Sequence, residues 1–181
     1  MYIFKEISHS STLLVDIQHL YESAFPPCER RDFALVCDLL ARGREFHIRV
    51  ATDVSGRLAA FLSYWDFGSF SYIEHLAVAP TLRGKGLGHT ILHDFFDNVS
   101  RRMVLEVEPP TDIITRKRIA FYESLGLTLW PDFPYTQPPY APHLSPVELR
   151  LMTIGTFTHT DLTAAVATIH RAVYSVRSEA D

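Results

Sequence analysis

The residues best suited to chemistry form a glycine-rich loop, RGKGLG, at positions 83 to 88. An apolar, strand-like stretch precedes this loop, and a stretch with helical spacing follows it. Backbone N–H groups at such a junction bind anions, and glycine lets the backbone approach a phosphate closely. Arg83 and Lys85 add positive charge. The loop therefore predicts a phosphate or pyrophosphate site, with an ordinary tight turn as the alternative.

Two common phosphate-binding motifs do not fit this loop. The P-loop requires Gly-Lys followed by Ser or Thr, but Lys85 is followed by Gly86. The dinucleotide-binding fingerprint requires G-x-G-x-x-G, whereas Gly84, Gly86 and Gly88 are spaced G-x-G-x-G. The pattern that remains is R-G-x-G-x-G placed after the segment LAVAP.

Carboxylates inside apolar strands are the candidates for acid–base chemistry. Glu74 interrupts SYIEHLAV, where alternation places it on the face of Tyr72 and Leu76 and places His75 on the opposite face. A buried carboxylate is costly unless it is used or paired, and burial is expected to raise its pKa. Glu74 is therefore our first candidate for the general base.

A second pair of carboxylates shares one face of the strand-like segment RMVLEVE. These residues are Glu106 and Glu108. As candidates for the general base, Glu74 ranks first, Glu106 second and His75 third. Each of these candidates could instead form a salt bridge, for example to Arg116 or Arg118, and this alternative is strongest for Glu108.

The elements that must position these residues alternate along the chain. The prediction is strands over 2–8, 45–53, 58–67, 71–78, 102–108, 127–130 and 147–154, and helices over 11–24, 30–42, 87–100, 115–126 and 160–176. A long, proline-rich loop over 131–146 follows the late helix and its short strand. This order predicts an α/β fold, a mixed sheet with helices on both faces.

Composition excludes several classes of protein. The net charge of −4 argues against a nucleic-acid partner held by bulk charge. No apolar run approaches the roughly 18 residues of a membrane span, and the first ten residues lack a signal-peptide core. Cys28 and Cys37 make neither a disulfide framework nor a zinc site, so we expect a cytoplasmic protein. His47, His89 and His93 have no third ligand at metal spacing, and no metal is expected.

Two segments resemble those of the GCN5-related N-acetyltransferase (GNAT) family. LAVAPTLRGKGLGHTIL, residues 76–92, resembles the family's acyl-coenzyme A motif, a strand ending in V-x-P followed by [QR]-x-x-G-x-[GA]. AFYESLGL, residues 120–127, resembles the family's late helix. One departure is that many members carry an Asn near the start of that helix, where this chain has TRKR at 115–118.

The resemblance implies a GNAT-like acyl-CoA N-acyltransferase fold with a mostly antiparallel sheet of about six to seven strands. It also implies acetyl-CoA as the cofactor. The pantetheine arm would pair with the backbone of Leu76, Ala77 and Val78. The pyrophosphate would lie against Arg83, Gly84, Lys85, Gly86, Leu87, Gly88 and His89.

The implied reaction is transfer of an acetyl group from acetyl-CoA to a primary amine by direct attack within a ternary complex. Such transfer requires a neutral amine, a donor for the oxyanion and a proton for the leaving thiolate. In the family the oxyanion donor is a backbone N–H at the position of Val78, and Tyr122 matches the family tyrosine near the coenzyme sulfur. Residues expected to bind the acceptor are Glu29, Arg30, Trp65, Tyr135 and Tyr140.

We expect a GNAT domain over residues 1–156 and a C-terminal helical extension over 157–181. The expected partner is a small-molecule amine, with no nucleic acid and no membrane, and a homodimer is left open. The alternative function is a catalytically inactive, CoA-binding regulatory module, which would need neither Glu74 nor Tyr122. A further alternative is a partner-binding domain in which the glycine loop is only a turn.

Overall fold

The computed structural model describes residues 1–100 and 102–175. The protein has a mixed α/β fold with a seven-stranded, mostly antiparallel sheet and, among the described residues, five α-helices. The fold class and the strand number predicted from the sequence are therefore confirmed. The chain divides into two compact units, one up to Arg101 and one from Arg102 onward. Residues 176–181 of the predicted C-terminal extension lie outside the described residues.

The first unit contributes four antiparallel strands in the order β1-β2-β3-β4. These strands are β1 (Ile3–Glu6), β2 (Phe46–Thr52), β3 (Leu58–Asp66) and β4 (Ser71–Val78). The helices of this unit are α1 (Leu14–Ala24), α2 (Phe33–Arg42) and α3 (Leu87–Asn98). Each predicted element of this unit is present, with ends that differ by a few residues.

Local signals set the ends of α2. The Asp32 side chain accepts a hydrogen bond from the backbone N–H of Ala34 at 2.8 Å, so a carboxylate caps the first turn. Gly43 ends the helix with a φ of 61°, a left-handed conformation that glycine adopts without steric cost. The helix bounds therefore follow from residues visible in the sequence.

Helices cover both faces of the first unit's strands, as predicted. Along β3, Phe61 and Tyr64 point to opposite faces because strand side chains alternate. The ring of Tyr21 on α1 lies 6.2 Å from that of Phe61, and the ring of Phe95 on α3 lies 4.8 Å from that of Tyr64. Helix α1 therefore packs on one face and α3 on the other. Ile17 on α1, and Ile91 and Leu92 on α3, are also buried.

The second unit contains three antiparallel strands in the order β5-β9-β6. These strands are β5 (Met103–Val107), β6 (Thr128–Trp130) and β9 (Arg150–Ile154). Its helices are α4 (Ile113–Glu123) and α5 (His159–Val173). Reciprocal side-chain and backbone hydrogen bonds cap both helices, through Asp112 with Thr115 in α4 and through Thr158 with Asp161 in α5.

The proline-rich segment is more ordered than the loop we predicted. Within it, β7 (Thr136–Gln137) pairs with β8 (Val147–Glu148) to form a separate two-stranded sheet. The single strand predicted over 147–154 is therefore wrong, because the chain changes partner at Leu149. The backbone N–H of Leu149 donates to the carbonyl of Tyr135, and pairing with β5 and β6 begins only at β9.

None of the helices in the described ranges is long and apolar enough to cross a membrane. Among those same residues, no three His, Cys, Asp or Glu side chains are grouped so that they could hold a metal ion.

Candidate active site

The glycine loop follows β4 after a short 3-10 turn, Pro80–Leu82. Gly84 and Gly86 have φ values of 71° and 79°, in the left-handed region. A Cβ placed at either residue would meet no described atom within 4 Å. The backbone conformation, rather than a lack of room, therefore requires glycine here, and the surface above the loop is open to a ligand.

Helix α3 begins directly after this loop, at Leu87. In the part of the chain that the structure describes, no side chain caps this helix. The first backbone N–H groups of a helix lack intrahelical partners and favour an anion. The Leu87 side chain is buried in the core, so Leu87 could serve a ligand only through its backbone. Gly88 lies in the same first turn, and the His89 ring lies 5.6 Å from that of His93.

Two cations flank the loop on its exposed side. Nε of Arg83 donates to the carbonyl of Val78 at 3.1 Å, which holds this guanidinium at the end of β4. Nζ of Lys85 donates to the carbonyl of Thr81 at 2.9 Å. Both predicted phosphate-binding side chains therefore lie beside the open backbone of the glycine loop.

The last residues of β4 are those whose backbone is expected to pair with the cofactor. Leu76, Ala77 and Val78 pair on their other side with Leu62, Phe61 and Ala60 of β3. Ala77 is buried, and Leu76 and Val78 are half-buried. Ala77 packs in the core and the other two side chains are partly covered, which is compatible with a role carried by the main chain alone.

An irregularity in β4 changes the face on which His75 lies. The pairing register with β3 shifts between Ser63 and Tyr64, so that Ser63 faces His75 while Tyr64 faces Ile73. Glu74 is therefore the extra residue of a β-bulge. Glu74 and His75 line the same narrow cavity. Our prediction that His75 points to the face opposite Glu74 is wrong, because simple alternation fails across a bulge.

Glu74 is buried in an ion pair. Its carboxylate pairs with the guanidinium of Arg31 and accepts a hydrogen bond of 2.8 Å from Nε1 of Trp65. Burial acts to raise the pKa of Glu74, but Arg31, His75 and the Trp65 hydrogen bond outweigh it and hold the pKa below its ordinary value. The raised pKa that we expected for Glu74 is therefore wrong. Trp65, predicted to bind the acceptor, does lie beside this carboxylate.

The two residues of the bulge also hold the segment between α1 and α2. His75 Nε2 lies 3.1 Å from the backbone carbonyl of Glu29, and the His75 ring packs against the rings of Tyr21 and Phe25. Burial lowers the pKa of His75, which favours a neutral imidazole at neutral pH. The expected acceptor-binding segment is thus fixed to β4 at Arg31 and at Glu29.

Of the two adjacent arginines in this segment, Arg31 is the one that reaches Glu74. Nε of Arg30 donates instead to the carbonyl of Phe25 at 3.1 Å, and the Arg30 guanidinium lies 5.9 Å from the Tyr21 ring centre. Sequence reasoning named Glu29 and Arg30 as site residues and did not single out Arg31. No local feature distinguishes the two arginines, since both follow the same prolines.

The second unit contains a separate cluster around Glu106. The hydroxyl of Tyr135 donates to Oε1 of Glu106, and the hydroxyl of Tyr174 donates to Oε2 at 2.9 Å. The Tyr140 ring lies 5.0 Å from that of Tyr174. The structure therefore brings together Glu106, Tyr135 and Tyr140, all predicted as site residues. Tyr174 was not predicted, because it is far from the recognisable motifs.

Tyr122 lies half-buried on α4, with its ring 5.1 Å from that of Phe121. Burial raises the pKa of Tyr122, and Arg118 offsets this only in part, so the phenol remains protonated at neutral pH. Arg118 also forms an ion pair with Glu108. The salt-bridge alternative for Glu108 is therefore confirmed.

A family model described as the acetyltransferase (GNAT) family matches residues 14–127. The fold and the loop geometry define an acyltransferase of this type, and the chain belongs to the GNAT acetyltransferase family. The resemblance found in the sequence is thereby confirmed. A comparison with curated proteins finds no match.

Solved structures agree with this assignment. A protein from Bacteroides thetaiotaomicron, assigned to the GNAT family of acetyltransferases, is 32% identical with a TM-score of 0.89, over 97% of this chain and 99% of that one. The ribosomal-protein-S18-alanine N-acetyltransferase of Escherichia coli is 21% identical, with a TM-score of 0.63 over 88% of this chain and 97% of its own. A Salmonella typhimurium protein assigned as an acetyltransferase, solved with its cofactor acetyl-CoA, is 18% identical, with a TM-score of 0.60 over 88% of this chain and 96% of its own. At these identities, the last two comparisons show the fold alone.

Proposed function

We propose that the protein transfers an acetyl group from acetyl-CoA to a primary amine, by direct attack within a ternary complex. The observation that carries this proposal is the junction of β4, the glycine loop and α3. There, two left-handed glycines leave open backbone beside Arg83 and Lys85, in front of a helix end that no described side chain caps. This arrangement suits a pyrophosphate. Membership of the GNAT family supports acetyl-CoA as its source.

The chain's own residues would hold the cofactor at two places. The backbone of Leu76, Ala77 and Val78 would pair with the pantetheine arm, and the loop from Arg83 to His89 would hold the pyrophosphate. The bound cofactor supplies the thioester-linked acetyl group. A backbone N–H at the end of β4, near Val78, would donate to the developing oxyanion.

Three side chains are proposed to handle protons. Tyr122 would supply a proton to the leaving sulfur, a role supported by its raised pKa, which keeps the phenol protonated. Glu74 and Glu106 are the two carboxylates that could take the proton of the acceptor ammonium. The ion pair with Arg31 lowers the pKa of Glu74 and occupies its carboxylate, whereas the Glu106 carboxylate accepts hydrogen bonds from tyrosine hydroxyls.

The acceptor is proposed to be a small primary amine. Trp65 lies beside Glu74 and Tyr135 lies beside Glu106, with the half-buried Tyr140 packed on Tyr174, and aromatic rings next to carboxylates suit a cationic amine. Two fold neighbours carry names that describe amine acceptors, the S18-alanine enzyme and a spermidine N-acetyltransferase from Vibrio cholerae. The proposed location is the cytoplasm, and the proposal is compatible with either a monomer or a homodimer.

Thermal melting with and without acetyl-CoA tests the cofactor. At about 100 times the dissociation constant, binding should stabilise the protein by about 2.7 kcal/mol and raise Tm by about 5–10 °C. Arg83→Ala should reduce this shift, because one cation beside the pyrophosphate is lost. The absence of any shift in the wild-type protein would reject the proposal. A shift would be followed by thiol-release assays with amino-acid amides, polyamines, aminoglycosides and peptides.

A catalytically inactive CoA-binding module is the second candidate, and the buried Arg31–Glu74 pair favours it. In such a module Glu74 would only hold the segment between α1 and α2 in place. The module would show the acetyl-CoA shift but release no thiol with any amine tested. A domain in which the glycine loop is only a turn would show neither the acetyl-CoA shift nor thiol release.

A further inference from the structure

Helix α5 lies beyond residues 14–127, the part of the chain that matches the family model. Its amino-terminal end is fixed by the Thr158–Asp161 cap and by an ion pair of 3.4 Å between Asp161 and Arg102. Its apolar stripe is buried in the second unit, through Leu162, Ala165, Ile169 and Val173. The residue directly after the helix, Tyr174, is therefore held in a defined position.

Tyr174 links the end of α5 to the predicted catalytic carboxylate. Its hydroxyl lies 2.9 Å from Oε2 and 3.2 Å from Oε1 of Glu106. Nε2 of Gln137 lies 3.0 Å from the same hydroxyl oxygen and can only donate to it. The oxygen of Tyr174 thus accepts from Gln137, and its proton is directed at Glu106.

A second tyrosine donates to the same carboxylate. The hydroxyl of Tyr135, from the proline-rich segment, donates to Oε1 of Glu106. Burial, together with the charge of Glu106, raises the pKa of Tyr135, so this phenol remains a donor across the working pH range. Both oxygens of Glu106 therefore accept hydrogen bonds from phenols, which stabilise the ionised carboxylate and fix its orientation.

Aromatic packing holds the two phenols in place. The Tyr174 ring lies 5.0 Å from that of Tyr140, and the Tyr135 ring lies 5.5 Å from that of His170 on α5. Tyr135 and Tyr174 are each buried. Burial lowers the pKa of His170, which favours a neutral imidazole beside the Tyr135 ring at neutral pH.

We propose that α5 is part of the acceptor site and that Tyr174 and Tyr135 are positioning residues, which hold the Glu106 carboxylate ionised and oriented for the acceptor ammonium. The inference rests on the proposed function. In the step concerned, one N–H bond of the ammonium breaks and the proton moves to a carboxylate oxygen of Glu106. This leaves a neutral amine and a neutral carboxyl group. The C-terminal helix thereby acquires a role that the family motifs do not assign.

The test compares Tyr174→Phe and Tyr135→Phe with Tyr64→Phe. Each change removes one hydroxyl and keeps the ring. Tyr64 is a matched control because its hydroxyl donates to a different carboxylate, that of Glu6 in the first unit, at 2.6 Å. The protonation of Glu106 is followed by NMR on protein carrying ¹³C-labelled glutamate, with Glu106→Gln to assign the signal.

We expect Tyr174→Phe and Tyr135→Phe each to move the titration of Glu106 upward by about one pH unit, because a donor to the ionised form is lost. Tyr64→Phe should leave this titration unchanged. With an amine that supports thiol release, the first two variants should lower kcat and move the acid limb of the pH–rate profile upward, while the thermal shift with acetyl-CoA is kept.

An unchanged Glu106 titration in Tyr174→Phe would overturn the inference, as would a wild-type rate with a wild-type pH profile. If no amine supports thiol release, the titration alone decides. Failure of acetyl-CoA to raise the Tm of the wild-type protein is a different outcome. It would reject the proposed function and, with it, the acceptor role of α5, while the titration would still report whether Tyr174 and Tyr135 hold Glu106 ionised.

Discussion

Replacing Arg31 with methionine would test how far the buried ion pair with Glu74 stabilises the first unit. The side chains of Arg31 and Glu74 are 9% and 1% exposed, so solvent screens the pair only weakly. Removing one partner of a buried pair typically costs about 3–5 kcal/mol, because the other charge remains buried. We expect Arg31→Met to lower the free energy of unfolding at pH 7 by this amount. The double variant Arg31→Met/Glu74→Gln should recover most of the loss.

The pH dependence of the Arg31→Met variant should be opposite to that of the wild-type protein. In the native protein the pKa of Glu74 lies below its ordinary value of 4.5, so this group stabilises the folded state above that value. The stabilisation is lost as pH falls through the lower, folded-state pKa. Without Arg31, burial would dominate and act to raise the pKa of Glu74. The variant should therefore gain stability as pH falls from 7 toward 5.

Urea unfolding at pH 7, 6 and 5, followed by circular dichroism, measures both effects. Arg57→Met is the matched control, because Arg57 pairs with Asp53 but is 83% exposed and should matter far less. The reasoning is refuted if Arg31→Met costs no more than Arg57→Met. It is equally refuted if the variant gains no stability between pH 7 and pH 5.

Two further changes address the cofactor and the leaving group. Gly86→Ala should weaken acetyl-CoA binding in calorimetric titrations, because a Cβ at a φ of 79° costs about 1–2 kcal/mol and distorts the loop. Gly56→Ala is the control, since Gly56 has a φ of 83° in the turn between β2 and β3, and it should lower stability without lowering the affinity for acetyl-CoA. An equal loss of acetyl-CoA affinity in both variants would contradict this reasoning. Tyr122→Phe should slow thiol release at unchanged acetyl-CoA affinity, since its raised pKa keeps the phenol protonated. A wild-type rate would mean that solvent protonates the thiolate.

Much of the fold could be predicted because its signals are local. The spacing of Gly84 and Gly86 between an apolar strand and an amphipathic helix predicted the loop geometry that the structure shows. Gly43 marked the carboxy-terminal end of α2 for the same reason, whereas the structure starts this helix at Phe33, three residues after the predicted start. In each case a residue and its close neighbours in sequence set the backbone conformation, so no distant contact was needed to infer it.

Two predictions failed where a distant partner decides the local structure. Strict alternation along β4 put His75 on the wrong face, because the bulge at Glu74 depends on the register with β3. The strand predicted over 147–154 is interrupted because Leu149 bonds to Tyr135 of the preceding segment. Register and change of partner depend on residues elsewhere in the chain, and a periodic pattern does not encode them.

The sequence by itself determined the family, the glycine loop and the residue types available for acid–base chemistry. Only the tertiary structure decided which charges meet. It paired Glu74 with Arg31, 43 positions away, and joined Glu106 to Tyr174, 68 positions away. These contacts set the pKa of Glu74 and the orientation of Glu106, because the energy of a buried charge depends on its nearest partners in space. Sequence identifies the carboxylates, but folding gives each one its partners.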